Sequence, residues 1–368
     1  MCRIIAIANQ KGGVGKSSTS INLAASLAVL EKRTLLIDAD PQANTTSSFP
    51  ISDNEDCTFT IDLYNYEKNS IRPFQTETPN LSFIPTNINL ANLEIQEKNY
   101  FGTHHELKHS IEDLKNEYDY IVVDCGPSLN FITTSFLCIA DSLLIPVQCE
   151  FYALSGLFKL FNVFKTIRDN YNRNLDIEGV LITMYDKRLA FSNVIVDEIK
   201  NHFKTLVFST IIVRNITISE AQSHRKTVID YDASSKGALN YLALATEIID
   251  NNKNDEMSND SLGKNLNEIL EDAKKESDLS TIFDKLPINK ERKSANYFSK
   301  NYEKLIGLSK KDINSIFSES YNDYYSDIWV FRLNERMSYF KKNYLYIYFT
   351  EDKVEKYELT VFRRKDII

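Results

Sequence analysis

The sequence predicts a doubly wound α/β domain built on a mostly parallel sheet, followed by a small α+β domain. Within residues 1–250, short continuous apolar runs alternate with stretches of helical periodicity. Such runs suit strands buried on both faces of a parallel sheet, and their alternation with helices is typical of a doubly wound fold. Beyond residue 250 the pattern changes, and three strand-like runs follow one another, which indicates a separate module.

The first domain, residues 1–250, is expected to be held together by apolar strands with helices between them. The strand-like runs are 2–8, 34–38, 81–85, 120–124, 142–147, 179–184 and 206–212. The helical stretches include 16–31, 104–117, 152–170 and 191–203. Strand–helix alternation in this order is the one expected of a doubly wound α/β fold.

A polar segment is expected to separate the two domains. Residues 251–260 are polar and have no apolar period, which is typical of a linker, and residues 261–280 can form a charged helix. The linker region is therefore assigned to 251–284 and the small domain to 285–368.

The small domain is expected to be helical first and then to form a sheet. Helical pieces lie within 290–317, broken near Gly307, and Ser309 is the expected N-cap of the second piece. Strands are expected at 327–333, 343–350 and 356–362, the last two as a hairpin.

Composition excludes several classes of protein. Of the 368 residues, 43% are apolar and 26% are charged, so the chain can bury a core and is not disordered as a whole. It has no run of 18 apolar residues, its five cysteines form no CxxC pair, and its N-terminus lacks a secretory signal pattern. We therefore expect a cytoplasmic protein without a membrane span, disulfide scaffold or zinc site.

The charge balance limits how the chain can bind nucleic acid. The net charge is −8, which argues against a generally basic coat. Residues 251–368 carry 21 basic and 21 acidic side chains, so the whole excess of negative charge lies in residues 1–250. Any contact with DNA must therefore use a local basic patch.

The strongest functional motif is a glycine-rich loop between the first strand and the first helix. It reads NQKGGVGKSS over residues 9–18. Glycines let backbone amides turn toward phosphate oxygens, and the helix N-terminus adds a partial positive charge. Lys16 is placed for the β- and γ-phosphates and the Ser17 hydroxyl for Mg²⁺. The residues expected to bind nucleotide here are Gly12, Gly13, Val14, Gly15, Lys16, Ser17 and Ser18.

One departure from the general GxxxxGK[ST] pattern is informative. Gln10 stands where the first glycine is expected, and a second lysine, Lys11, follows it. This KGGxGK[ST] form is a deviant Walker A motif, and with it the sequence resembles the ParA/MinD family of ATPases. The resemblance implies a P-loop NTPase fold, ATP and Mg²⁺ as cofactors, and an ATP-dependent homodimer. It also implies that Lys11 reaches across the dimer and neutralises charge on the partner's nucleotide.

Acidic residues at two strand ends match further motifs of the family. Residues 36–44 resemble its DxDPQ switch, which implies that Asp40 orients the attacking water and that Asp38 holds Mg²⁺ through water. A hydrophobic strand ending in Asp124 has the Walker B form, whose carboxylate binds Mg²⁺ or its waters. Gly126 replaces the first of two family prolines and is expected to loosen that loop. Catalysis is thus assigned to Lys11, Lys16 and Asp40, and metal binding to Ser17, Asp38 and Asp124.

Longer segments extend the resemblance over roughly residues 1–250. The stretches 146–157 and 179–186, and motifs from 214 to 238, match the chromosomal ParA type. The resemblance implies that Met184 and the turn 212–215 flank the adenine, with Val213 and Asn215 as the contacting residues of that turn. Cys149 has no obvious histidine partner nearby, so a buried strand-end thiol is favoured over a nucleophile.

The resemblance also implies non-specific binding of DNA by basic residues of the ATP-bound dimer. Arg188 and Arg214 match basic positions of the family, but Thr217 stands where it usually has Arg, and Arg225 stands where it has Gly. The basic patch is therefore redrawn around Lys187, Arg188, Arg214, Arg225, Lys226 and Lys236. Each of these can instead be a solvated surface charge. A ParB-like activator and association with the nucleoid are implied as well.

Other interpretations remain open. A ParA-like ATPase can position a protein assembly through its C-terminal domain instead of binding DNA. The MinD branch binds membranes through an amphipathic C-terminal helix, but the C-terminus here has a strand pattern, so no membrane partner is expected. Bacterial tyrosine kinases share the nucleotide site, but the alternation of Tyr344, Tyr346 and Tyr348 is explained by strand packing. The small domain faintly resembles the outer-membrane assembly lipoprotein (SmpA/OmlA-like) fold, which implies a protein-binding role.

Overall fold

A computed structural model gives the architecture of the chain. It describes residues 2–51, 56–64, 71–96, 104–128, 130–150, 153–255, 305–310, 312–313, 328–333, 341–350 and 353–363. The chain divides into two compact units, Met1–Leu286 and Pro287–Ile368.

The first unit is built on a seven-stranded sheet. Its strands are β1 (Arg3–Ile7), β2 (Thr34–Ala39), β3 (Phe74–Gln75), β4 (Leu81–Ile84), β5 (Tyr120–Cys125), β6 (Ser142–Gln148) and β7 (Asp176–Thr183). They lie in the order β3-β4-β2-β5-β1-β6-β7, and every pairing is parallel except that of the short edge strand β3 with β4. The predicted fold class is confirmed, and six of the predicted strands are present.

Helices cover both faces of this sheet. They are α1 (Lys16–Val29), α2 (Leu90–Gln96), α3 (His104–Leu114), α4 (Phe131–Ile139), α5 (Ala153–Asn170), α6 (Ala190–Phe203), α7 (Ile216–Ser223), α8 (Val228–Tyr231) and α9 (Lys236–Asp255). Alternate residues of β1 belong to two cores: Ile4 packs with α3 to α6, and Ile5 packs with α1 and α9. Burial on both faces explains why the strands have continuous apolar sequences.

The strand order places the carboxyl end of β1 where a ligand is expected to bind. β1 is flanked by β5 on one side and β6 on the other, and the chain leaves it through a loop into α1. In open α/β sheets, ligands bind outside the carboxyl ends of the strands, at the point where the strand order reverses. The glycine-rich loop therefore starts at the position in the fold that favours a ligand site.

The expected strand at 206–212 is wrong. Phe208 N and Ile212 N do donate to carbonyls of β7, at 3.1 Å and 2.9 Å. Between them, the amides of Ser209 and Thr210 donate instead to the two carboxylate oxygens of Glu247, at 2.7 Å and 2.9 Å. The Glu247 side chain of α9 accepts the hydrogen bonds of these two amides, so they do not pair with β7. The segment therefore leaves the sheet edge and forms only isolated bridges at Val207 and Val213.

The predicted linker begins too early. Helix α9 continues through Asp255, five residues into the segment assigned to the linker. Its buried residues Tyr241, Leu244 and Ile248 follow the helical period. Residues 256–304, which include the predicted charged helix at 261–280, lie outside the described residues.

The second unit contains the three expected strands as an antiparallel sheet. They are β8 (Ile328–Leu333), β9 (Lys341–Thr350) and β10 (Lys353–Arg363), in the order β10-β9-β8. The hairpin expected of the last two strands is confirmed, with a register shift near its turn, between Val354 and Lys356. The core cluster consists of Leu305, Ile313, Leu345, Ile347, Phe349 and Val354.

Ser309 caps a helical turn in this unit, as expected from the sequence. The Asp312 amide donates to Ser309 Oγ at 3.3 Å, and Ser309 N donates back to Asp312 Oδ2 at 3.0 Å. This reciprocal pairing is a capping box with aspartate in the role of the usual glutamate. Most of the helical region expected at 290–317 lies outside the described residues.

Candidate nucleotide site

The glycine-rich loop has the backbone conformation that a phosphate loop requires. Gly13 (φ +74°) and Gly15 (φ +86°) are left-handed, and Gly15 is the residue that precedes the first turn of α1. A side chain at either position would be strained, which explains the two glycines. A Cβ on Gly15 would lie 3.5 Å from Cε of Met184, so the loop lies against the segment expected to flank the adenine.

Side chains fix this loop to the ends of the neighbouring strands. Thr183 Oγ1, at the end of β7, donates to the Val14 carbonyl at 2.8 Å. Asn9 Nδ2 donates to the Pro146 carbonyl at 2.7 Å, and Asn9 Oδ1 accepts from Lys11 N at 3.1 Å. The loop is therefore fixed by contacts within the chain, and an ordered loop lowers the entropic cost of binding.

Lys16 lies inside the loop rather than in solvent. Its side chain is buried, and Nζ donates to the Lys11 carbonyl at 3.0 Å. Burial lowers the pKa of Lys16, while the nearby carboxylates of Asp124 and Asp40 raise it again. A poorly solvated cation in a cradle of backbone amides attracts phosphate strongly.

The two expected metal carboxylates are neighbours at the carboxyl ends of adjacent strands. Asp38 of β2 pairs in register with Asp124 of β5. Asp124 accepts hydrogen bonds from Thr45 Oγ1 at 2.6 Å and Ser20 Oγ at 2.9 Å, and also from the hydroxyl of Ser17. Ser17 and Asp124, which the sequence predicted to share a metal ion, are thus brought together.

Burial sets the electrostatics of these carboxylates. Asp38 and Asp124 are both fully buried. Burial raises the pKa of each, and the charge of Asp124 raises that of Asp38 further, although hydrogen bonds from Thr46 N and Oγ1 to Asp38 oppose the shift. A buried pair of this kind is relieved when a cation lies beside it.

Asp40 is positioned by the two loops that meet at its carboxylate. It is buried, and Oδ1 accepts a hydrogen bond from Gln42 N at 3.0 Å. A Cβ on Gly126 would lie 3.3 Å from the same oxygen, so the absence of a side chain there leaves room for this carboxylate. The looser loop expected from Gly126 stays a prediction.

Lys11 does not point into its own loop. Its Nζ pairs with the Glu150 carboxylate at the end of β6, and both side chains are about half exposed. Glu150 was not singled out from the sequence, since it lies 139 residues away and no local pattern links it to the loop. The pairing holds Lys11 at the rim of the site, where its side chain is partly exposed.

The residues expected to flank the adenine lie on two adjacent segments. Met184 has a left-handed backbone (φ +51°) and directly follows β7. Val213 is bridged to Tyr185, and its amide donates to Asn240 Oδ1 at 3.2 Å. Asn215 caps α7 by accepting from Thr217 N at 2.9 Å. These segments and the glycine-rich loop meet at the same end of the sheet.

The thiol at Cys149 is not equipped as a nucleophile. It is buried, and burial raises its pKa to about 12. The thiol is therefore protonated at neutral pH, in agreement with the structural role favoured from the sequence.

All six basic residues of the expected DNA patch are exposed. Lys187 and Arg188 follow β7, and Arg214 lies beside them because its amide donates to the Tyr185 carbonyl at 3.0 Å. Arg188 forms a bidentate ion pair with Asp186, in which Nε donates to Oδ1 at 2.9 Å and Nη2 donates to Oδ2 at 2.6 Å. This pairing lowers the pKa of Asp186 to about 2, so part of the charge of Arg188 is compensated within the chain.

Arg225 occupies a position that normally favours glycine. Helix α7 ends in a Schellman motif, in which Lys226 N donates to the Ala221 carbonyl and Arg225 N to the Gln222 carbonyl, each at 3.0 Å. Arg225 is the left-handed residue of this motif, with φ +54°. The departure from the family's glycine thus retains an exposed guanidinium at the cost of backbone strain.

Arg225→Gly is expected to stabilise the fold and weaken DNA binding at the same time. Relief of the left-handed conformation is worth about 1–2 kcal/mol, and the more flexible unfolded chain takes back about 0.5–1 kcal/mol. We expect the free energy of unfolding to rise by about 0.5–1 kcal/mol in denaturant titrations. The salt slope of DNA binding should fall by about one phosphate contact per subunit.

Glu31 offers a matched control for this variant. It is the left-handed residue (φ +62°) of the same motif at the end of α1, where Lys32 N donates to the Leu27 carbonyl at 3.1 Å. Glu31→Gly should raise stability similarly without lowering DNA affinity. Equal salt slopes for wild type and Arg225→Gly would remove Arg225 from the patch.

The fold and the site together define a P-loop nucleoside triphosphatase of the deviant Walker A type. A family model described as an AAA domain matches residues 2–177. The chain is 45% identical over 253 residues to the sporulation initiation inhibitor protein Soj of Bacillus subtilis, covering 68% of this chain and 100% of Soj. It is 43% identical to the chromosome partitioning protein ParA of Myxococcus xanthus, covering 67% of this chain and 88% of that protein. The chain belongs to the ParA/Soj family of partitioning ATPases.

A solved structure of a nucleotide-binding protein has a similar fold. Cobyrinic acid a,c-diamide synthase from Mycobacterium smegmatis, with bound ADP and magnesium, is 27% identical with a TM-score of 0.56, covering 67% of this chain and 93% of that one. Because Soj is matched over its whole length, about a third of this chain has no counterpart in it.

Within the part of the chain that the structure describes, no helix is long and apolar enough to cross a membrane.

Proposed function

We propose that this chain is an Mg²⁺-dependent ATPase that partitions DNA in the cytoplasm. ATP drives a homodimer that binds DNA non-specifically on the nucleoid, and a ParB-like protein stimulates hydrolysis and so releases it. The observation that carries the proposal is the different placement of the two lysines in one loop. Lys16 is buried inside the loop, while Lys11 is half exposed at its rim, in a chain 45% identical to Soj.

The residues present fit a nucleotide with its metal ion. The loop amides and Lys16 would bind the phosphates, while Ser17 and Asp124 would hold Mg²⁺, with Asp38 accepting from its waters. Hydroxyl and carboxylate oxygens are the donors that Mg²⁺ prefers, and a cation would relieve the buried pair Asp38 and Asp124. The ion would neutralise charge on the β- and γ-phosphates.

The remaining residues position the water and the dimer. Asp40 has one carboxylate oxygen fixed by Gln42 N, which leaves the carboxylate oriented to accept a hydrogen bond from the attacking water. Lys11 would exchange Glu150 for the phosphates bound by the partner subunit, so hydrolysis and dimerisation share one side chain.

The extra third of the chain favours a second candidate function. Soj is matched in full by 68% of this chain, and we take the unit Pro287–Ile368 to belong to the third that Soj lacks. In this alternative the ATPase cycle positions a protein assembly through that unit rather than through DNA. The protein-binding role implied by its resemblance to the SmpA/OmlA-like fold belongs to this candidate.

Dimerisation tests the role of the two lysines directly. In sedimentation velocity with Mg²⁺, we expect the mass to double with ATP and to stay monomeric with ADP. Lys11→Ala should bind ATP with near wild-type affinity but stay monomeric, because its own loop does not use the Lys11 side chain. An ATP-bound wild-type chain that remains monomeric, or a Lys11→Ala chain that dimerises normally, would contradict the sandwich arrangement.

A further inference from the structure

Helix α7 lies between the nucleotide site and an exposed basic turn. Gln222, near its C-terminal end, reaches the loop: Nε2 donates to Ser18 Oγ at 3.2 Å. Three residues further on, Arg225 and Lys226 form the turn that leaves α7, and both side chains are exposed. One hydrogen bond therefore joins the phosphate loop to the helix that carries this turn.

A second contact fixes the other end of the turn to α1, the helix that also contains Ser18. Val228 N donates to Asn22 Oδ1 at 2.7 Å, and Asn22 Nδ2 donates to the Ser18 carbonyl at 2.7 Å. Asn22 is fully buried in α1. Residues 222–228 are thus attached at both ends to the first two turns of α1, and both attachments converge on Ser18.

The chemistry of a hydroxyl makes this attachment sensitive to a ligand. Ser18 Oγ accepts from Gln222 and can still donate its own proton. A phosphate oxygen in the loop is a strong acceptor for that proton, and a hydroxyl that donates to an anion becomes a better acceptor itself. Phosphate binding would therefore strengthen the Gln222 contact.

We propose that Gln222 is a positioning residue that couples occupancy of the phosphate loop to the order of the Arg225–Lys226 turn. The proposal rests on the proposed function, because it takes the loop as a nucleotide site and the turn as part of the DNA patch. With nucleotide bound, Gln222 fixes the end of α7 and holds the turn in its left-handed conformation. Without nucleotide the contact is weaker, and the turn opens more often.

Hydrogen exchange of the turn amides tests the coupling without DNA and without dimerisation. With saturating ADP and Mg²⁺, exchange at residues 223–228 of the wild-type chain should slow by about fivefold or more. Gln222→Leu, which fills the space but cannot donate, should lose this slowing. Ser219→Ala, on the exposed side of the same helix, should keep it.

Three results of that experiment would overturn the proposal. They are no slowing in the wild-type chain, full slowing in Gln222→Leu, and loss of ADP binding by Gln222→Leu, which would make Gln222 part of the nucleotide site itself. If Gln222→Leu does not fold, Gln222→Glu replaces it. Its carboxylate accepts from Ser18 rather than donating, so it should also lose the slowing.

A DNA arm separates this proposal from the proposed function. With ATP, Gln222→Leu should bind a random duplex about fivefold more weakly than Ser219→Ala. If the wild-type chain binds no DNA, the proposed function fails, while the exchange experiment still decides the coupling. If the wild type binds and both variants bind equally well, the coupling is wrong although the proposed function stands.

Discussion

Lys16→Ala is expected to abolish nucleotide-driven dimerisation. The ammonium group is buried in the loop, contacts the Lys11 carbonyl and lies near Asp124 and Asp40. Lys16 and a bound phosphate would form a buried charge pair. Truncating one partner of such a pair costs about 2–5 kcal/mol, because the other charge is left uncompensated. We therefore expect ATP affinity to fall by about two orders of magnitude or more. Fluorescent-nucleotide titration and sedimentation velocity would measure both quantities.

A lysine outside the site serves as the control for Lys16→Ala. Lys200 is exposed on α6, so Lys200→Ala should bind ATP and dimerise as the wild type does. Circular dichroism would show that both variants fold. If Lys16→Ala still forms an ATP-dependent dimer, the site assigned to the triphosphate is wrong.

Asp40→Ala is expected to trap the ATP-bound dimer. The carboxylate lies near Lys16, and removing a negative charge there does not weaken the binding of an anionic nucleotide, so nucleotide binding and dimerisation should persist. Loss of the group that orients the water should slow hydrolysis by about 10²–10⁴-fold, the range typical of a positioned base. Single-turnover phosphate release would give the rate, and sedimentation would give the lifetime of the dimer.

Two companion variants sharpen the Asp40 experiment. Asp40→Asn can still accept from Gln42 N, so it should keep the loop geometry but remain slow. Asp197 is exposed on α6, and Asp197→Ala should hydrolyse ATP normally. Hydrolysis by Asp40→Ala at the wild-type rate would show that another group orients the water.

The parts of the fold that the sequence predicted well are those encoded locally. Strands β1, β2 and β5 are continuous apolar runs, and such runs are explained by burial on both sheet faces. The glycines at 13 and 15 identify the loop because few other residues tolerate its conformation. The motif order then places Ser17 and Asp124 together without knowledge of the structure.

The features that the sequence did not predict depend on contacts distant in the chain. The apolar run 206–212 has a strand pattern. However, Glu247, almost 40 residues away in the sequence, accepts hydrogen bonds from the amides of Ser209 and Thr210. Glu150 and Gln222 are 139 and 204 residues from the loop residues they contact. No local period or spacing reports such pairs, which only the assembled sheet brings together.

The domain boundary and the role of the second unit remain predictions. Helix α9 extends to Asp255, so the polar composition that indicated a linker after residue 250 did not mark the end of the helix. The three strands of the second unit were predictable from alternation alone. Alternation does not encode a ligand, so a partner for this unit has to be found by experiment.

The central claim is tested most directly by binding to a random-sequence DNA duplex with ATP, with ADP and without nucleotide, across a salt series. We predict binding with ATP alone. Its affinity should fall by about 10³-fold between roughly 50 and 200 mM salt, as expected when a dimer neutralises about six phosphates. Equal binding in all three nucleotide states, or no binding in any of them, would contradict the claim. The second of these results would favour the candidate in which the unit Pro287–Ile368 positions a protein assembly.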